Sequence, residues 1–466
     1  MAIDILPDEL LLEIFAYYVQ ESQERDAWHM LAFVCQRWRG IALGSPHRLN
    51  IRILCSEGTP VRKNLESWPP FPIVLTADYC RELGEDNILA TLEQCDRICH
   101  VEIWNISKSL WEKVLPLMQK SFPILTDLRL HLQYKDNMAS VVPESFLGGS
   151  AQRLRKLTLE GIPFPGLPKL LLSTTDLVNL DVHDIPHSSS GYISPDAITT
   201  LTKLESLKII FKSPQPHPEW ERRRTSPQTR TLLPSLTLFT FQGTSGYLED
   251  IVDRIDAPLL DRLRICFSQR TIFDAPQLAQ FISRVPKFQA CDEARVHLAS
   301  SSALVRVLSR SKIGYKATLQ FEYSYRHPDL DSQLSPLVQL CTSSLPQALI
   351  PMVERLTIVR SSFYMLPEQD NINSSLLREV LRPFTGVKDL YLSSGITPHI
   401  ALALQGLVGE GVTELMPILQ SIFLEEVRRV PEGIRQLVAA RQLSSHLISV
   451  FLWERTSLLL LRATAL

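Results

Sequence analysis

A short apolar pattern that keeps returning along the chain constrains its fold more than any other feature. It reads apolar, two residues, apolar, one residue, apolar. It stands at Ile98/Val101/Ile103, Leu125/Leu128/Leu130, Leu154/Leu157/Leu159, Leu177/Leu180/Val182, Leu204/Leu207/Ile209, Leu236/Phe239/Phe241 and Leu260/Leu263/Ile265. Further on it stands at Val353/Leu356/Ile358, Val387/Leu390/Leu392 and Leu419/Ile422/Leu424. The first seven copies are spaced by 27, 29, 23, 27, 32 and 24 residues. Pro123, Pro234, Pro258, Pro351 and Pro417 each stand two residues ahead of a copy.

The last two apolar positions of each copy are two apart, so they leave a short strand on one side. One such strand buries too little apolar area to be stable. Strands stacked in parallel share one continuous core, and each fully buried leucine then contributes about 1.5–3 kcal/mol. Spacings of this length with L-x-x-L-x-L are the mark of leucine-rich repeats. The expected fold is therefore α/β: an irregular leucine-rich-repeat solenoid with a parallel concave sheet. Apolar segments at 88–95, 110–118, 278–285 and 376–381 read as the helices of its convex side. Between 265 and 353 the register weakens, and Ala294/Val296/Leu298 and Leu319/Phe321 are poor copies. Residues 212–230 hold four prolines and Arg222-Arg223-Arg224, which reads as a flexible loop between repeats.

An array needs covered ends. Residues 47–97 read as a linker and N-terminal cap, with strands at 49–54 and 73–76 around a Trp68-Pro69-Pro70-Phe71 corner. The repeats occupy 98–430. Residues 431–466 read as the C-terminal cap, with a helix at 431–444 carrying Ile434, Leu437, Val438 and Arg441 along one side and a strand at 447–453. Thr456 to Leu466 matches no element.

Residues 1–46 differ in kind. Leu6-Pro7-Asp8-Glu9 reads as a helix start, with proline in the first turn and acids against the helix dipole. Nine of the ten residues from Leu10 to Val19 are apolar or aromatic. A helix that apolar has more than one side to bury. After a polar stretch, Ala27, Met30, Leu31, Val34, Trp38 and Ile41 follow a helical period, which predicts a second helix over 27–43. So small a unit buries little surface alone, and its spare apolar side invites a partner.

The blocks Leu6-Pro7-Asp8-Glu9-Leu10-Leu11-Leu12-Glu13-Ile14-Phe15 and Val34-Cys35-Gln36-Arg37-Trp38-Arg39-Gly40-Ile41-Ala42 resemble an F-box in order and separation. The stretch between them is longer and more polar than the usual pattern. In layout the whole chain is similar to a large fungal group of F-box proteins with degenerate leucine repeats. The segments 416–425 and 438–443 resemble that group's C-terminal end. The resemblance implies docking onto a Skp-type adaptor held by a cullin scaffold, in a ubiquitin ligase of the SCF type. By matching position, it assigns adaptor binding or its support to Leu6, Pro7, Leu10, Ile14, Val34, Cys35 and Trp38. The implied role is substrate receptor, with the repeats holding an unknown protein substrate. The alternative is a repeat scaffold for protein interactions with no ligase role.

Composition closes off other classes. Hydrophobic residues at 45% and charged residues at 21% describe a folded chain. The formal net charge of −2 supplies no global field for nucleic acid or an anionic membrane. The start carries no basic segment followed by a long apolar run, so no signal peptide is expected. The apolar stretch at 447–461 is interrupted by Glu454 and Arg455, so no membrane helix is expected. The eight scattered cysteines form no CxxC pair and read as reduced, mostly buried thiols of a cytoplasmic or nuclear protein. Cys95 and Cys99 have three residues between them, which excludes haem attachment, and they read as core thiols. No phosphate-binding loop, nucleophile elbow or HExxH motif occurs. The 11 histidines are dispersed, with no pair at the short spacing of a ligand motif. No catalytic residue, metal or cofactor is expected.

Overall fold

Each apolar copy ends in a strand because its last two apolar side chains point to one side and demand the same core. A computed structural model describes residues 5–21, 27–46, 49, 51–56, 61–67, 69–77, 84–133, 141–162, 167–185, 193–212, 230–268, 275–299, 302–311, 314–324, 330–345, 349–360, 374–405, 414–425, 429–444, 446–455 and 461–465. The chain divides into two units, Met1–Leu204 and Glu205–Leu466.

The first unit opens with helices α1 (Asp8–Glu21), α2 (Trp28–Val34) and α3 (Gln36–Gly44). The single helix expected over 27–43 is thus two. Cys35 is extended, at φ −159° and ψ 169°, and its Sγ accepts from the Trp38 N–H at 3.4 Å, which caps the start of α3. Nothing in Val34-Cys35-Gln36 announces the break, since no glycine or proline is present. Arg39 spans it by donating to the Ala32 carbonyl at 2.9 Å. Trp28 is buried, and its indole N–H donates to the Arg52 carbonyl at 2.9 Å, tying the helices to the chain that follows.

That chain runs β1 (Ile53–Cys55), α4 (Val61–Ser67), β2 (Ile73–Ala77), α5 (Glu85–Leu92), β3 (Ile98–Ile106), α6 (Lys108–Leu117), β4 (Asp127–Leu132), β5 (Lys156–Glu160), α7 (Leu167–Ser173), β6 (Asn179–Ile185) and α8 (Pro195–Thr199). The expected 49–54 and 73–76 strands therefore flank a helix. They pair in parallel, Ile53 with Ile73, so the repeat geometry begins before residue 98. Trp68 lies outside the described residues. The parallel register aligns Cys55, Leu75, Val101, Leu128, Leu157 and Leu180 in one row. Ala77, Ile103, Leu130, Leu159 and Val182 form the next. All are fully or almost fully buried, and the helices bury Ile88, Leu110, Trp111, Val114 and Leu171. The helices expected at 88–95 and 110–118 lie at Glu85–Leu92 and Lys108–Leu117.

The second unit runs β7 (Ser206–Phe211), β8 (Thr231–Leu232), β9 (Leu238–Gly243), α9 (Ser245–Arg254), β10 (Ile255–Asp256), β11 (Arg262–Ser268), α10 (Pro276–Arg284), β12 (Glu293–Leu298), β13 (Ser302–Ser311), β14 (Gly314–Ser324), α11 (Leu330–Gln339), β15 (Arg355–Arg360), α12 (Ser374–Leu381), β16 (Asp389–Leu392), α13 (Thr397–Gln405), β17 (Ser421–Glu425), α14 (Glu432–Leu443), β18 (Ser449–Arg455) and β19 (Leu461–Ala465). Residues 213–229, nearly all of the expected Pro/Arg-rich loop, lie outside the described residues.

The weak register between 265 and 353 has a structural cause. β12, β13 and β14 form an antiparallel meander, inserted in reverse: β14 lies parallel beside β11, and β12 lies parallel beside β15. The expectation of a wholly parallel sheet is corrected here and at β19, which pairs antiparallel with β18. The apolar rows pass through the reversal unbroken. Leu263, Leu319, Val307, Ala294, Leu356, Leu390 and Ile422 align across neighbouring strands. Ile265, Phe321, Val305, Val296, Ile358, Leu392 and Leu424 do the same. Side chains of a strand alternate whichever way it runs, so an antiparallel strand with apolar residues two apart serves the core as well as a parallel one.

The C-terminal helix α14 buries Ile434, Leu437 and Arg441, while Val438 is half-buried. Among the described residues, no helix is long and apolar enough to cross a membrane.

Candidate functional site

The N-terminal helices divide their apolar residues between two environments. On α1, Leu11, Leu12 and Phe15 are buried, whereas Leu10 and Ile14 are 51% and 47% exposed. Leu10 and Ile14 are four apart and so share one side of the helix. On α2, Trp28, Leu31 and Ala32 point inward, and Met30, Phe33 and Val34 outward. Pro7 and Cys35 are exposed; Leu6 and Trp38 are half-buried. Trp38 leans on Phe15 with ring centroids 4.8 Å apart. Arg37 fixes the entry to α1 by donating to the Leu6 carbonyl at 2.5 Å and to Asp8 Oδ1 at 2.7 Å. Exposed ion pairs of this kind add little stability, but this one sets where Leu6 and Pro7 lie. Of the seven residues assigned by resemblance, five are therefore exposed, and Leu6 and Trp38 are set partly into the helical core.

A second feature was not foreseen. The residues that alternate with the apolar positions of β3 to β6 occupy the sheet's other face, and most are polar. One row of them directly follows the last apolar position of each copy: Trp104, His131, Glu160 and His183. Parallel register places His131 opposite Glu160, and Glu160 opposite His183. β5 ends on this row, β4 runs one residue past it, and β3 and β6 run two. Asn105, Gly161 and Asp184 take the left-handed backbone conformation at φ 53°, 70° and 51°, a region that glycine, asparagine and aspartate tolerate best.

Both histidines face the same carboxylate oxygen. His131 Nδ1 contacts Glu160 Oε2 closely, and His183 Nε2 lies 2.8 Å from the same atom. His183 Nδ1 lies 2.7 Å from Asp181 Oδ1. Trp104 stacks flat on His131, with centroids 3.6 Å apart and rings inclined by 14°. Glu102 accepts from Trp104 Nε1 at 3.1 Å and lies 3.3 Å from His100 Nε2. Burial would raise the Glu102 carboxyl, but these hydrogen bonds and the Arg129 guanidinium outweigh it and hold it below its ordinary value. Burial lowers the pKa of His131 against the pull of Glu160, so its neutral form is favoured. A neutral imidazole is the form that binds metals.

The donor atoms of His131, Glu160 and His183 lie within 4.8 Å of one another. Reading the histidines for short ligand spacing misses them, because His131 and Glu160 are 29 residues apart and Glu160 and His183 are 23 apart. The signal is present in the repeat itself: aligning copies on their apolar positions puts all three in one column. Cys99 is buried, as expected, with its Sγ 3.3 Å from the Ile73 carbonyl, whereas Cys95 is half-buried.

In the second unit the corresponding face carries stacked aromatics. Tyr391 and Phe423 are parallel at 4.2 Å, and Phe423 and Phe451 follow at 5.0 Å. Arg355 lies 5.6 Å from the Tyr391 ring centre.

No family model matches the chain, and no curated protein matches it. Among solved structures, the chain is similar to the leucine-rich repeat-containing protein LegL7 from Legionella pneumophila, with 12% identity over 73% of this chain and 87% of that one and a TM-score of 0.24.

Proposed function

We propose that this chain is the substrate receptor of a cullin-based ubiquitin ligase, docking a Skp-type adaptor through its N-terminal helices and holding a protein substrate on its repeats. The observation that carries this reading is the exposed apolar side of α1 and α2, with Leu10, Ile14 and Val34 outward within blocks that resemble an F-box, and Phe33 exposed beside Val34. A docking interface of ordinary size buries about 1,600 Å² in total, and a few aliphatic and aromatic anchors dominate its energy. The mechanism is proximity. Adaptor and substrate held on one chain turn a bimolecular encounter into an effectively intramolecular one. The chain itself performs no bond-making step; ubiquitin transfer belongs to other subunits, and the reading sets the chain in the cytoplasm, the nucleus or both.

The test is co-purification of the full chain with a purified Skp-type adaptor. Leu10→Ala combined with Ile14→Ala is expected to abolish co-purification and leave the circular dichroism of the repeats unchanged, because neither side chain belongs to the core. Retained co-purification refutes the assignment. A wild-type chain that ignores the adaptor points instead to the second reading, an interaction scaffold without a ligase role. The polar and aromatic rows on the non-core face of the repeat sheets favour that reading equally well.

A further inference from the structure

We propose that His131, Glu160 and His183 form a binding site for a divalent transition-metal ion of the zinc class. Two imidazoles and one carboxylate are a ligand set that suits zinc, and they leave a fourth tetrahedral position for water or for a donor from a bound partner. Each ligand comes from a strand locked into the core by its neighbours, which gives the rigidity a metal site needs. Zinc bonds of about 2.0–2.2 Å separate tetrahedral donors by roughly 3.4 Å. The donors here are already gathered: Glu160 Oε2 lies 2.8 Å from His183 Nε2 and closer still to His131 Nδ1, and all lie within 4.8 Å, so an ion would spread them slightly.

The partners of His183 orient it toward an ion. Its Nδ1 faces Asp181 and its Nε2 faces Glu160, so both ring nitrogens meet carboxylate oxygens. A neutral imidazole has one N–H. With Nδ1–H donating to Asp181, Nε2 is the nitrogen left to ligate an ion. A metal ion held by Nε2 and Glu160 uses the tautomer that Asp181 selects. Aspartate behind a ligating histidine is the usual outer partner of a zinc site; Asp181 is thus a positioning residue. Glu160 Oε2 meets a second nitrogen from His131, so the same ion would satisfy that contact too. Trp104, flat on His131, fixes that ring and closes one side to water.

The experiment uses the full chain, stripped with chelator and titrated with zinc chloride at neutral pH by calorimetry. Cobalt loading followed by visible absorption provides an independent readout. Wild type is expected to bind zinc saturably and to give the intense absorption of four-coordinate cobalt. His183→Ala is expected to weaken binding by at least about 100-fold, and Asp181→Asn by about 10–100-fold. His183→Gln serves if the alanine variant does not fold. Zinc-edge absorption of the wild-type complex is expected to report two imidazoles with oxygen and no sulfur. Absence of saturable binding, binding unchanged in folded His183 variants, or a sulfur-containing shell overturns the proposal. The first of these outcomes would mean that hydrogen bonds alone hold His131 and His183 on Glu160. None of these readouts depends on the Skp-type adaptor, so this inference and the docking reading fail separately.

Discussion

Among the described residues, Arg441 is the largest charged side chain in the core, and its replacement gives the sharpest test of how the C-terminal end holds together. It lies on α14 with no exposed surface. Its guanidinium donates to the carbonyls of Leu415 at 2.8 Å, Pro417 at 2.9 Å and Met416 at 3.2 Å. Met416 is left-handed at φ 49°, an unfavourable state for its residue type. The arginine thus gathers three carbonyls that the Met416 turn directs inward. Burial pushes its pKa down. Arg441→Met keeps the apolar stem and removes every donor. The Pro417 carbonyl, on a half-buried residue, can rehydrate, but Leu415 and Met416 are buried. Two buried acceptors left unmatched cost about 1–3 kcal/mol each. Net of desolvation, a hydrogen bond to a charged group contributes about 1.5–3 kcal/mol, and the lower end for each of these two gives about 3 kcal/mol. Hydrogen exchange of the full chain is the suitable assay, because it reads this segment without requiring the whole chain to unfold in one step. Amides of 418–425 and 434–443 are expected to lose about 100-fold in protection. A change below about tenfold would refute the argument and mean that other donors reach these carbonyls. Arg441→Lys keeps the charge and three donors on one nitrogen but lacks the planar fork that spans these carbonyls, so it is expected to rescue only part of the loss.

Other outcomes follow from packing and from thiol chemistry. Gly433 lies where α14 crosses α13: a Cβ there would sit 2.0 Å from the Ala401 carbonyl oxygen. Gly433→Ala is expected to push the helices apart and destabilise the second unit by about 1–3 kcal/mol, visible as a lower melting temperature; an unchanged melt would contradict the close approach. Burial pushes the thiols of Cys266, Cys291 and Cys341 up to about 11, 12 and 12, whereas Cys35 is exposed. At pH 8 the thiolate needed for alkylation is then scarce at the three buried positions. Maleimide labelling read by mass spectrometry is expected to modify Cys35 well before any of them, and early labelling of Cys341 in the folded chain would be evidence against this core. Adaptor present during labelling is expected to protect Cys35, in keeping with the docking reading.

The repeat core was legible in the amino-acid order because burial writes a period into it. Leu128 and Leu130, Leu157 and Leu159, and their counterparts must be apolar and two apart for one side of a strand to meet a core. The rows observed are the rows read from the pattern. The helices at 110–118 and 278–285 were visible for the same reason, through their longer period. The partition of α1 was half visible: ten nearly continuous apolar residues require two buried sides, but only packing decides that Leu11 and Phe15 face inward while Leu10 and Ile14 do not. Three features belonged to tertiary structure alone. The break at Cys35 depends on Sγ and Arg39 replacing helix hydrogen bonds, and no residue there forbids a continuous helix. The reversed meander over 293–324 was hidden because alternation is the same in parallel and antiparallel strands, so Val305 and Val307 say which side is buried but not which way the chain runs. His131, Glu160 and His183 are strangers along the chain. They meet because parallel register turns a separation of one repeat into the distance between neighbouring strands, and that conversion exists only once the sheet has formed.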